Sequence, residues 1–332
     1  MDDRIALAKS FLNQTSWANV RRAPLAGDAS NRRYERLLDP DTGKTAVLMD
    51  ASPDRGEDVR PFVRIARHLR TLGLSAPNIL AKDVANGFLL IEDLGDALFA
   101  RAIPENPELE TDFYTAATDV LLALHQAPVP DLKPYDPDLM ADLAALAFGK
   151  YRRGIAGNTE GEDEFRELFR HILSGISPFN PVLIQRDYHA ENLLWLPERH
   201  DVARVGLLDF QDAMSGHPAY DLVSLLQDAR RDVPERIEQE MIGYYLDQSG
   251  IDQVAFRSAY AVLGAQRNLR ILGVFARLGQ EYGKPHYIDL IPRVWSHLMR
   301  DLDHPSLASV APMLKQYLPV PSAANLQRLK TP

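Results

Sequence analysis

The chain has 332 residues, 45% hydrophobic and 25% charged, with no cysteine; 37 Lys and Arg against 46 Asp and Glu leave a formal charge of −9. That length and composition suffice for two packed lobes. The lack of cysteine excludes a disulfide framework and a thiolate zinc site, the acidic balance argues against general nucleic-acid binding, and no apolar run is long enough to span a bilayer.

The start, Met1 to Ala6, lacks the basic-then-apolar pattern of a secretory signal, so a cytoplasmic location is expected. Residues 4–16 place Ile5, Leu7, Ala8, Phe11 and Leu12 on one helical face. Residues 21–50 read as three strands, with a small-residue turn at Gly27–Asn31 and a second turn at Pro40–Lys44 before Thr45–Met49. A helix is expected near 58–72, with Val59, Phe62, Val63, Ala66 and Leu69 on its buried side, then a strand pair over 79–84 and 87–92 that ends in Glu92-Asp93-Leu94-Gly95. Helical patterns follow up to 174 and again from 218 to about 318. A small β-rich part, a connector and a large helical part make this an α+β chain.

Between the two helical stretches lies the most informative segment. Gln185-Arg186-Asp187-Tyr188-His189-Ala190-Glu191-Asn192 is followed by a strand at Leu193–Trp195, a turn over 197–201 and a return strand at Val205–Leu208. The hairpin brings the chain back to its start, so Asp209 is expected beside Asn192. Phosphoryl transfer from a metal-bound nucleotide needs such a set: a carboxylate (Asp187) to orient and deprotonate the attacking hydroxyl, and hard oxygen donors (Asn192, Asp209) to hold Mg²⁺ on the phosphates. The turn at Gly27, Ser30 and Asn31 is the candidate phosphate cover, because small residues let backbone N–H groups approach phosphate oxygens.

This segment resembles the aminoglycoside phosphotransferase family, a branch of the protein-kinase-like fold, whose catalytic loop typically reads H-G-D-x-H-x-x-N. Asp187, His189 and Asn192 match, while Gln185-Arg186 replaces the usual His-Gly. Asp209-Phe210 matches the metal segment, and Gly216-His217-Pro218-Ala219-Tyr220-Asp221-Leu222 fits the family's G-x-P-x-x-D-L stretch. The resemblance implies a two-lobe fold, with a nucleotide-binding lobe over 1–94 and a catalytic and substrate-binding lobe over 95–332. It implies ATP or GTP with Mg²⁺, a supporting role for His189, and Asp221 as a brace for the catalytic loop. It also implies a connector at Glu92, Asp93 and Leu94 that meets the base through its backbone.

One departure is marked: the third strand, Thr45-Ala46-Val47-Leu48-Met49-Asp50, has no Lys where kinases of this fold carry one. Arg32 and Arg33 are the substitutes in reach, Arg33 being counted with the nucleotide-binding set and Glu57 as the acidic partner. The pattern Gly27 to Tyr34, then Val47 to Asp50, together with Gln266-Arg267-Asn268-Leu269-Arg270-Ile271-Leu272-Gly273, is similar to bacterial anomeric kinases of N-acetylmuramate and N-acetylglucosamine over about 20–318.

That resemblance implies an amino sugar as the acceptor, phosphorylated on its C1 hydroxyl in cell-wall recycling. A helix is expected over 254–281, where Gln266, Arg267 and Arg270 are candidate substrate residues; the other reading is an amphipathic helix whose arginines meet acids or water. Glu191 reads equally as a substrate contact or a solvated charge. His125 reads as a packing residue, and no H-x-x-x-H pair suggests a zinc hydrolase. Two alternatives stay open: a kinase for aminoglycosides, choline-like amines or another metabolite, and a non-catalytic nucleotide binder. No obligate protein partner is inferred.

Overall fold

The computed structural model describes residues 2–25, 31–176 and 178–330. Contacts divide the chain into two compact units, 1–124 with 191–213, and 125–190 with 214–332. The first unit therefore takes in the hairpin that follows the 185–190 loop.

In the first unit, α1 (Asp2–Leu12) precedes strands β1 (Arg21–Leu25), β2 (Arg33–Leu38) and β3 (Thr45–Asp50), helix α2 (Arg60–Thr71), and strands β4 (Ile79–Asp83) and β5 (Phe88–Glu92). The strands form one antiparallel sheet in the order β1-β2-β3-β5-β4. β3 and β5 are covered on both faces, so both read as continuous apolar runs instead of alternating ones. On one face Leu37, Ala46, Leu48, Phe88 and Leu90 pack on Ala8, Phe11 and Leu12 of α1, with Phe11 and Phe88 stacked at 5.9 Å.

Helices α3 (Phe99–Glu105) and α4 (Glu110–Gln126) follow the connector. The hairpin of β7 (Leu193–Trp195) and β8 (Val205–Leu207), numbered after β6 below, pairs Leu193 with Leu207 and Trp195 with Val205. Short bridges seat it: Leu207 N–H donates to the Ser75 carbonyl at 3.0 Å, and Trp195 N–H to that of Ala97 at 2.8 Å.

The second unit holds α5 (Pro137–Ala144), a π-helical turn over Ala147–Arg152, α6 (Arg153–Ala156), α7 (Glu162–Ser174) and β6 (Val182–Ile184). It continues with β9 (Met214–Gly216), α8 (Ala219–Leu226), α9 (Glu235–Ser249), α10 (Gln253–Tyr282), α11 (Ile291–Asp301), α12 (Ala311–Tyr317) and α13 (Ala323–Lys330). β6 pairs antiparallel with β9, two short strands the sequence patterns did not disclose.

α10, 30 residues long, is the axis of this unit: Asp252 caps its start by accepting the Ala255 N–H at 2.8 Å, and Gly283 ends it in a left-handed conformation. Its close approach to the π-helical region needs Gly273, where a Cβ would lie 2.4 Å from the Leu146 backbone. No helix among the described residues is long and apolar enough to cross a membrane.

Candidate active site

The loop from Gln185 to Ala190 leaves β6 and is tied at both ends to buried carboxylates. Asp221, fully buried on α8, accepts the N–H of Gln185 at 2.6 Å and of Arg186 at 2.9 Å. Burial pushes its pKa up to about 7, while those two N–H donors pull the other way. At the far end Asp228 accepts the N–H of Ala190 at 3.3 Å and of Arg230 at 2.8 Å. His217 Nδ1 accepts the Ala219 N–H at 3.0 Å and so fastens the start of α8.

Arg186 stands where the resembling family keeps Gly, and the backbone explains the preference: its φ is 73°, the left-handed region. The guanidinium lies over the Tyr135 ring at 5.4 Å. Because L side chains adopt this conformation at a cost of roughly 1–2 kcal/mol, Arg186→Gly is expected to be more stable than Arg186→Ala by about 1 kcal/mol, the reverse of an ordinary site. Urea denaturation of the two variants checks this; equal stability, or Ala ahead, refutes the strain.

Asp187 keeps 34% of its side chain exposed, and Arg270 Nη1 lies 3.9 Å from its Oδ1. Burial alone would raise its pKa, but Arg270, Arg267, His189 and Arg186 outweigh it and hold the carboxyl down at about 2. Asp187 is therefore ionised at every working pH. Arg267 is 2% exposed, and its Nε and Nη1 find no hydrogen-bond acceptor among the described residues. His189 is buried, and Arg230 Nη1 donates to its Nε2 at 3.1 Å. A guanidinium can only donate, so Nε2 accepts and Nδ1 carries the proton. Burial, with Arg230 adding to it, lowers this imidazole to about 4, which keeps it neutral and suits support more than proton transfer.

In the first unit, the Leu208 N–H donates to the Asn192 carbonyl at 2.9 Å, so Asn192 and Asp209 meet at the end of the β7–β8 hairpin. Asp209 is exposed, with φ 56°, a conformation Asp tolerates better than most residues. Gln211 Nε2 donates to its Oδ1 at 2.7 Å, and Phe210 behind it packs on Phe62 with ring centroids 4.8 Å apart. An amide oxygen and a carboxylate suit Mg²⁺, which keeps few protein ligands and completes its shell from phosphates and water. Among the described residues no group of three or more His, Asp or Glu could form a protein-only cage.

The same unit places a cation near this pair. Arg32 Nε meets Glu57 Oε2 at 2.8 Å, both side chains nearly covered. Tyr34 is raised by burial, is held back by Arg32, and feels the charge of Asp209, so Arg32, Glu57, Tyr34 and Asp209 share one neighbourhood. Arg33 is exposed and paired in register with Asp50. Glu57 precedes α2 and is not part of it.

The remaining candidates are placed as follows. Gly27 and Ser30 lie outside the described residues; Asn31 is exposed, and its Nδ2 donates to the Arg55 carbonyl at 3.4 Å. Glu92 is paired with Arg199 at 2.6 Å and Asp93 with Arg36 at 2.7 Å, which commits their side chains, and the Glu92 N–H is spent on the Asn78 carbonyl at 2.8 Å. Leu94 packs over Gly206. Glu191 is exposed. Gln266 is fully buried, its amide spent on the Tyr135 hydroxyl at 3.2 Å and the Met140 carbonyl at 2.9 Å. Arg267 and Arg270 of the same helix do come to Asp187. Tyr135, Tyr220, Asp228 and Arg230 were not among the residues expected from sequence; Tyr220, inside the G-x-P-x-x-D-L stretch, was the one that motif could have flagged.

Residues 21–257 match the Phosphotransferase enzyme family. An N-acetylmuramate/N-acetylglucosamine kinase from Caulobacter vibrioides is 40% identical over 96% of this chain and 98% of its own. A protein of the same name from Pseudomonas aeruginosa is 32% identical, covering 90% of each chain. Among solved structures, a choline/ethanolamine kinase family protein from Mesorhizobium loti superposes with a TM-score of 0.64 at 15% identity, over 99% of this chain and 100% of that one. At that identity the likeness speaks for the fold, which is protein-kinase-like, with an antiparallel sheet in its N-terminal part and a larger helical C-terminal part.

Proposed function

The chain belongs to the phosphotransferase enzyme family, and from that premise we propose that it transfers the terminal phosphoryl group of ATP to the C1 hydroxyl of N-acetylmuramate and N-acetylglucosamine. The observation that carries this reading is the 40% identity, over nearly the whole of both chains, to a kinase named for those two sugars. The reading places the reaction in the cytoplasm, where sugars released from the cell wall would be recycled, with GTP as the other nucleotide the motif admits.

Each residue set has a role in this reading. Asp187 orients the acceptor hydroxyl and takes its proton; a carboxylate that is so weak a base does so late, once the oxygen has begun to bond to phosphorus. Asn192 and Asp209 would hold Mg²⁺, which would supply positive charge against that of the phosphates. Arg32, buttressed by Glu57, supplies the phosphate cation that the third strand lacks, and its fork suits bidentate contact. Asp221 and Asp228 fix the loop, and His189 supports it. Gly27, Ser30 and Asn31 cover the phosphates, Glu92, Asp93 and Leu94 offer backbone to the base, and 1–94 and 95–332 are the nucleotide-binding and catalytic lobes. Most of the acceleration comes from alignment and charge neutralisation.

The test is phosphorus NMR of the protein with Mg-ATP and each sugar in turn, beside choline and an aminoglycoside. A C1-phosphate signal from both sugars, and none from the other acceptors, is expected. Transfer to choline or the aminoglycoside alone would replace the acceptor assignment. Tight nucleotide binding with no transfer to any acceptor would favour the non-catalytic reading.

A further inference from the structure

Three cations face the Asp187 carboxylate, Arg186 from its own loop and Arg267 and Arg270 from α10, with His189 of the loop beside them. Asp221 of α8 is the acid among its neighbours. These groups are not equivalent. His189 is neutral and engaged by Arg230. Arg186 is stacked on Tyr135. Arg267 is buried deeper than Asp187 and is fixed by the packing of α10. Arg270 keeps 16% of its side chain exposed and makes an ion pair with Asp187.

Arg270 is also braced. Tyr220 and Tyr135 are among the groups that raise its pKa, the Tyr135 hydroxyl lies 3.3 Å from that of Tyr220, and Gln266 ties Tyr135 to the Met140 carbonyl of α5. The separation from Asp187 is informative. At 3.9 Å the guanidinium gives charge to the carboxylate without a hydrogen bond of its own to it.

We propose that Arg270 is a positioning residue for the reaction: a braced counter-charge that fixes the direction of the Asp187 carboxylate toward the acceptor hydroxyl, without binding the acceptor itself. This rests on the reading that Asp187 serves that hydroxyl. A cation that oriented the acceptor would act on its affinity; one that orients the carboxylate acts on turnover.

Arg270→Ala is expected to lower kcat by about 10²-fold, the scale of a 1 Å misplacement of a reacting group, with acceptor KM within about twofold of wild type. Arg270→Lys should recover part of kcat, and guanidinium ion added to Arg270→Ala should recover part as well. Tyr220→Phe keeps the ring and removes the brace, so it should show a smaller kcat loss with the same unmoved KM; it also serves if Arg270→Ala does not fold.

A raised acceptor KM at preserved kcat would make Arg270 a binding group and overturn the proposal, as would unchanged kinetics. Absence of any transfer by the wild-type enzyme would instead count against the proposed reaction. The crystal structure of Arg270→Ala then decides the positioning role by itself: a turned or split Asp187 side chain supports it, and an unchanged one refutes it.

Discussion

Asp187→Asn is expected to lower kcat on the order of 10³-fold, within the range that a positioned general base contributes, while leaving the KM for nucleotide close to wild type. The substitution keeps the shape of the side chain and removes its charge, so the loss reads the carboxylate's chemistry and not a cavity. It also removes the counter-charge of Arg270 and Arg267, and a buried cation left without its anion is destabilising. The variant should therefore melt lower than wild type yet remain folded at assay temperature. Since the carboxyl sits at about 2, Asp187 ionisation should not limit the rate anywhere near neutral pH, and an acid limb above pH 5 would have to come from another group. Single-turnover kinetics with nucleotide binding measured in parallel checks the result. A folded Asp187→Asn that has lost nucleotide affinity would mean the carboxylate serves the nucleotide, and wild-type turnover would remove it from the chemistry altogether.

What could be read from the sequence follows how local each feature is. The β7–β8 hairpin and the meeting of Asn192 with Asp209 were legible because strand, turn and strand lie within one short stretch, and geometry returns such a chain to its origin. α10 was legible because its buried positions repeat with helical period over many turns. The β6–β9 ladder was not, since three-residue strands carry too few positions to show a period.

Arg32 and Arg33 illustrate a different limit. Both were in reach of a phosphate in principle, and neighbouring residues of an extended chain point to opposite sides, so the choice turns on which side Glu57 occupies. The ion pair between Arg270 and Asp187, and the brace of Tyr135 on Tyr220, join distant segments through helix packing; no spacing rule encodes such pairs. Gln266 shows the reverse case: an amide beside two functional-looking arginines turns inward, because consecutive helix positions face different directions and this one lies against α5.

Asp209→Ala is the second large effect. Mg²⁺ takes few protein ligands, so if Asn192 and Asp209 are the proposed pair, removing one should reduce the affinity for Mg-nucleotide by at least about 10²-fold. Affinity for nucleotide measured with a chelator present should change little, because the base and the phosphate cation are untouched. The backbone complicates a single comparison: φ is 56°, and Ala is less at ease there than Asp, so part of any loss could be strain. Asp209→Asn separates the two effects. Asn accepts the left-handed conformation as readily and retains an oxygen donor, but it brings no charge to a divalent ion. If the carboxylate holds the metal, Asn should still lose Mg-nucleotide affinity, while melting like wild type. Should Asn bind Mg-nucleotide normally and only Ala fail, residue 209 shapes the hairpin end and the metal must be held elsewhere. Full Mg-dependent affinity in both variants would dismiss the pair of Asn192 and Asp209 as a metal site. Titration calorimetry with and without Mg²⁺ resolves these outcomes, since the metal-dependent part of the binding free energy is the quantity the carboxylate controls.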